Sequence, residues 1–207
     1  MTLLSLLAAA LTLGWNLLGG PHGPWREVCY KGHTVYTVER DSVDVWLHAE
    51  AHGTNSVLFH SVPDDVDVTE LSWRWRVLRH PAGADPSKRK LDDRAAAVFV
   101  LVHRSLLPWR TRALIYQWAP AGEQGQWASS PYAPEIRVLT LELAPAGLGW
   151  RAEKRDLRAD LLAEFGAIPE KIEAIGVLCD ADNTAGVASA EFGALSCTTL
   201  ESRRRRP

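Results

Sequence analysis

No pair of cysteines in this chain stands at C-x-x-C spacing, which removes zinc ribbons and thioredoxin-type redox sites at the outset. The three that occur, Cys29, Cys179 and Cys197, are an odd number, so at least one thiol stays unpaired within the chain. Cys179 and Cys197 lie in apolar, strand-like runs and read as small buried hydrophobes, although one disulfide is compatible with an exported chain. Also absent are the G-x-S-x-G of a nucleophile elbow, the Walker loop, G-x-G-x-x-G and H-E-x-x-H. Nor does either sign of charge dominate. With 23 basic and 25 acidic residues the net charge is -2, which gives no broad basic field for nucleic acid and no acidic field for a basic partner. The exception is the run Arg203 to Arg206, read as a solvated tail over 201–207.

What is present begins with an uncharged leader rich in Leu and Ala, MTLLSLLAAALTLGWNLLGG, closed by Pro21 and Gly23. It lacks the basic start of a standard secretory signal but has the apolar stretch and the small residues of a cleavage site. Residues 1–24 are therefore expected to be a signal peptide or membrane anchor, and the protein to be periplasmic, secreted or membrane-anchored, touching a membrane only through this segment. The remaining chain, about 25–200, suits one domain.

That domain reads as many short strands separated by turns, the pattern of an all-β sandwich or barrel. Candidate strands lie at 34–38, 43–52, 55–62, 67–78, 94–103, 111–118, 136–142, 149–154, 172–179 and 187–197. Residues 43–52 alternate: Val45, Leu47, Ala49 and Ala51 share one face, Trp46, His48, Glu50 and His52 the other. Gly53-Thr54-Asn55 has the composition of a hairpin turn into 55–62. Leu71, Trp73, Trp75 and Val77 form a core face opposite Arg74 and Arg76, while the apolar runs 95–102 and 172–178 predict central strands. One helix is expected in DLRADLLAEFG, with Asp156 as cap, Gly166 as stop and a stripe of Leu157, Leu161, Leu162 and Phe165.

Three groups of residues offer chemistry. Asp85, Asp92 and Asp93 in one long loop and Asp180, Asp182 and Asn183 after a central strand would converge if those strands are neighbours. Such carboxylates need neutralising, by a hard cation such as Ca²⁺ or by nearby lysines and arginines, unless they serve as turn formers on separate loops. Asp92 or Asp93 facing Asp180 or Asp182 would alternatively supply the acid and base of a glycan hydrolase. His48, Glu50 and His52, with His60 on the supposed hairpin partner, have the ligand types of a zinc site. Trp118, Trp127 and Tyr132, with Arg74 and Arg76, are candidate contacts for a carbohydrate or other polyhydroxylated ligand, because indole and phenol rings stack on sugar faces and guanidinium groups bind hydroxyls.

The order SWRWRV, PAGAD, the Asp92-Asp93 pair, IYQW, D-x-D-N-T at residues 180–184 and a closing AEFGAL resembles an uncharacterised bacterial family known only as a domain of unknown function. It departs from that pattern at Leu91, where a glycine is expected. The resemblance implies an exported antiparallel β-sandwich of jelly-roll or galactose-binding-like type with one short helix, and draws attention to Trp73, Trp75, Asp85, Asp92, Asp93, Trp118, Asp180, Asp182, Asn183 and Thr184. The leading expectation is a non-catalytic module for a carbohydrate-type ligand with a structural Ca²⁺. The alternatives are a glycan hydrolase and an envelope protein without a small ligand.

Overall fold

The structure is a computed structural model and describes residues 25–103, 106, 110–169 and 171–201. The expected leader and the arginine run lie outside these residues. Among the described residues no helix is long and apolar enough to cross a membrane.

Two sheets pack face to face. One has seven strands in the spatial order β1 (Arg26–Lys31), β4 (Asn55–Ser61), β11 (Ala174–Asp180), β6 (Arg94–His103), β7 (Arg112–Ala119), β9 (Ile136–Leu143) and β8 (Trp127–Ser129). The other has five, in the order β10 (Arg151–Asp156), β5 (Val66–Arg79), β12 (Val187–Glu201), β3 (Val45–His52) and β2 (Val35–Arg40). Neighbours run antiparallel except β7 and β9, which pair in parallel. The fold is the all-β sandwich expected, with one α-helix, α1 (Leu157–Phe165), among the described residues.

Hydrophobic period places the core. Leu47, Ala49 and Ala51 of β3 face Val98 and Val100 of β6 and Ile175 and Val177 of β11 across the sandwich, all buried. Trp73 and Trp75 lie inside as expected, in edge contact at 5.4 Å between ring centroids. The two apolar runs are β6 and β11, hydrogen-bonded to each other within the larger sheet. Gly176 of β11 is required there, since a Cβ would stand 2.2 Å from the Leu58 carbonyl oxygen.

The helix starts and ends where expected. The Asp156 side chain accepts from Ala159 N at 3.0 Å, and Gly166 closes the helix at φ 71. Its stripe differs: Leu157, Asp160 and Leu161 are buried, whereas Leu162 is 52% exposed. Asp160 turns inward because it has partners there, accepting from Tyr116 Oη at 2.7 Å and from Arg155 Nε at 2.9 Å.

The connection after β3 also differs. Gly53 (φ 61) and Thr54 carry the chain from the five-stranded sheet to the seven-stranded one, so β3 and β4 are not a hairpin. His60 consequently lies in the other sheet from His48, its ring against Trp25 at 4.1 Å between centroids. The zinc set that required His48 and His60 side by side is not assembled.

Candidate functional site

The acidic loops do meet. Asp180 ends β11 and pairs in register with Arg94 at the start of β6 and Asn55 at the start of β4, which brings the turn after β11 against the loop before β6. Asp93, Asp180 and Asp182 place carboxylate oxygens within 4.8 Å of one another. The other expected members face elsewhere. Asp92 forms a buried ion pair with Arg94. Asp85 closes its own turn, accepting from Ser87 Oγ at 2.6 Å and pairing with Lys88 at 2.7 Å, contacts that hold its carboxyl at about 2. Asn183 gives its backbone N–H to Asp93 Oδ1 at 2.9 Å and its amide to Tyr132 Oη and the Arg89 carbonyl.

Each converging carboxylate has protein partners. Asp93, fully buried, accepts from the N–H groups of Asn183 and Thr184 and from the Thr184 hydroxyl. Asn55 Nδ2 donates to Asp180 at 3.2 Å and to Asp182 at 3.1 Å, and Lys31 binds the Asp182 carbonyl at 2.8 Å. Burial pushes the Asp180 carboxyl up to about 8, aided by Asp182 and Asp93 and opposed by Arg94. At neutral pH a proton on Asp180 therefore does part of what a cation would do. Asp92, Asp93 and Asp180 are 6%, 0% and 4% exposed, so none of them lines an open cleft of the kind a carboxylate pair needs for glycan hydrolysis.

The candidate ligand contacts separate into three places. Trp118 is a core residue, 6.1 Å from Trp75 between ring centroids, and half-buried Trp127 leans on Tyr116 at 5.8 Å. Tyr132 is exposed at the acidic rim, its hydroxyl on the Arg89 carbonyl at 2.9 Å and its ring beneath the Arg89 guanidinium. Arg74 and Arg76 lie on the outer face of the five-stranded sheet.

That outer face carries polar and aromatic groups in contact with one another. Register aligns two rows across the strands: Arg76, Glu191, His48 and Thr37, and beside it Arg74, Gly193, Trp46 and Glu39. Both guanidinium groups stack on Trp150, at 4.5 and 4.7 Å from the ring centroid. Arg76 ion-pairs with Glu191, which is only 5% exposed, and donates to the Leu148 carbonyl at 3.2 Å. Arg74 crosses β12 over Gly193 to reach Asp44; a Cβ at Gly193 would stand 2.7 Å from its Nε. Trp46 Nε1 donates to Glu39 Oε2 at 3.1 Å, and His48 Nδ1 stands 3.5 Å from Glu191 Oε1. Sequence reasoning placed His48 and Glu50 on this face but missed Glu39, Glu191 and Trp150. Their only signal was period-two position, which does not say which strands are neighbours.

The family model described as "Protein of unknown function (DUF3047)" matches residues 23–196. Among curated proteins none matches the sequence. Of solved structures, the xyloglucanase domain of NopAA, a type three effector from Sinorhizobium fredii in complex with cellobiose, is similar at 10% identity and a TM-score of 0.41, covering 87% of this chain and 100% of that one. Endoglucanase 3 of Trichoderma harzianum, from family GH12, is similar at 10% identity and a TM-score of 0.36, covering 84% and 96%. The family 11 xylanase of Neocallimastix patriciarum gives 9%, 0.35, 85% and 87%.

Proposed function

The chain belongs to DUF3047, a family of unknown function, and we propose that this member is a non-catalytic binding module whose outer five-stranded face takes a carbohydrate or similar polyhydroxylated ligand. The observation that carries this reading is the pair of adjacent rows Arg76, Glu191, His48 and Arg74, Gly193, Trp46 across β5, β12 and β3, with Trp150 stacked against both arginines. A sugar ring offers apolar C–H faces and hydroxyl edges, and this face offers indoles for the former and, for the latter, the partly exposed carboxylates of Glu39 and Glu50 and the guanidinium groups of Arg74 and Arg76, with buried Glu191 fixing Arg76 from below. Those side chains are already fixed by one another, which lowers the ordering cost of binding.

Export through the N-terminal segment is part of the proposal. So is a structural cation at Asp93, Asp180 and Asp182, where Ca²⁺ would replace the proton that Asp180 holds. The test of the binding reading is calorimetry against a panel of neutral and acidic oligosaccharides. One oligosaccharide class should bind, with affinity at least tenfold weaker in Trp150→Ala and in Trp46→Ala. Binding that both variants leave intact, or none across the panel, overturns it.

A further inference from the structure

We infer that Glu39, His48 and Glu191 form a site for a divalent first-row metal ion, Zn²⁺ by the chemistry of the set, on the outer face of the five-stranded sheet. Each of the three offers one ligand atom, and these atoms lie within 4.8 Å of one another. In a tetrahedral site with bonds of about 2.1 Å, neighbouring ligand atoms are about 3.4 Å apart. His48 Nδ1 and Glu191 Oε1 stand at 3.5 Å, near that separation, and the Glu39 oxygen lies within 4.8 Å of both.

The remaining atoms of these side chains are held from outside, as metal ligands are oriented by a surrounding shell. Glu191 Oε2 is held by Arg76, which leaves Oε1 to face His48. Glu39 Oε2 accepts from Trp46 Nε1, which leaves Oε1 for a metal. Nε2 of His48 faces Glu50 at 3.9 Å, so a carboxylate stands behind the imidazole. His48 Nδ1 itself is buried and makes no hydrogen bond. A buried ring nitrogen with no well-formed hydrogen bond, 3.5 Å from a carboxylate oxygen of its ion-pair partner, has the spacing of two neighbouring ligands of one cation. One imidazole with two carboxylates suits Zn²⁺ better than Ca²⁺, which takes six to eight oxygens. Three strands, β2, β3 and β12, supply one ligand each, so the site is set by sheet register.

The site stands apart from the oligosaccharide reading because the metal alone is the probe. Glu27, Cys29 and His33 form an exposed competing group, so the experiment uses the full chain carrying Cys29→Ser. Calorimetry with Zn²⁺ and visible absorption with Co²⁺ at neutral pH should give one equivalent bound. His48→Gln and Glu39→Gln should each weaken it at least tenfold, with far-UV circular dichroism unchanged. If one variant does not fold, the other decides. No uptake by the Cys29→Ser protein, or uptake that the folded variants leave unaltered, overturns the site, whatever the outcome with oligosaccharides.

Discussion

Asp93 Oδ2 accepts hydrogen bonds from both the backbone N–H and the hydroxyl of Thr184, at 2.7 and 2.5 Å, across 91 residues of sequence. With Asn183 N–H on its other oxygen, this one buried carboxylate fastens the turn after β11 to the loop before β6. Asp93→Ala leaves these donors without an acceptor and should lower stability by about 2–4 kcal/mol, since hydrogen bonds to a charged group are the strong ones. Asp93→Asn keeps one acceptor oxygen and should cost less. Urea unfolding checks the order, and an Asp93→Ala protein as stable as the parent contradicts the fastening role.

Asp180 should give the domain a pH dependence of unusual sign for a carboxylate. Its folded value of about 8 lies above the ordinary 3.8, so between these limits the folded state holds a proton that the unfolded chain has released. Stability should then fall as pH rises from about 4 to about 8, by up to about 1.4 kcal/mol per pH unit, and level off above. Asp180→Asn should remove this loss. Melting curves at pH 5, 7 and 9 decide, and an equal slope in both proteins would refute the assignment.

The proposed cation at the same rim competes with that proton. After chelation, added Ca²⁺ at about a hundred times its Kd should contribute about 2.7 kcal/mol. The rise in Tm should be larger at pH 9 than at pH 6, because only the ionised Asp180 is a full ligand. Asp182→Ala should abolish the rise. No shift at pH 9 would leave Arg94 and Lys31 as the neutralising groups, joined by the Asp180 proton at lower pH.

Much of this architecture was legible from local pattern, and what was missed shares one physical cause. β5, β6 and β11 announce themselves through alternation or continuous apolar runs, because their own burial dictates their composition. β1, REVCYK, does not: it is an edge strand with five of six residues exposed, and edges favour charge. β8 has three residues, too few for any period. Gly53-Thr54-Asn55 has turn chemistry, but whether a turn closes a hairpin or crosses between sheets is decided by the partner strands. Glu39 and Glu191 escaped for the same reason, since only the order β12, β3, β2 puts them beside His48. The acidic rim was half legible: both loops stood out as acid-rich, with their meeting conditional on β6 and β11 being neighbours, whereas Arg94 claiming Asp92 and Ser87 with Lys88 claiming Asp85 are contacts that composition does not reveal.

Two adjacent leucines on α1 test the corrected helix face. Leu161 is 1% exposed and Leu162 52%. Leu161→Ala should cost about 2–5 kcal/mol and Leu162→Ala about 0.5 kcal/mol or less. Comparable losses at the two positions would restore the stripe that spacing alone suggests.

The Arg76–Glu191 pair couples stability to the outer face. Glu191 is nearly buried and Arg76 is held between it and the Trp150 ring, so removing either partner strands the other charge in a partly dry setting. Arg76→Met and Glu191→Leu should each destabilise by about 1–3 kcal/mol, while the double variant should lose less than the sum. A positive coupling shows that the two charges answer each other and that the face is set before any ligand arrives. Strict additivity would mean that Arg76 is placed by Trp150 and the Leu148 carbonyl alone.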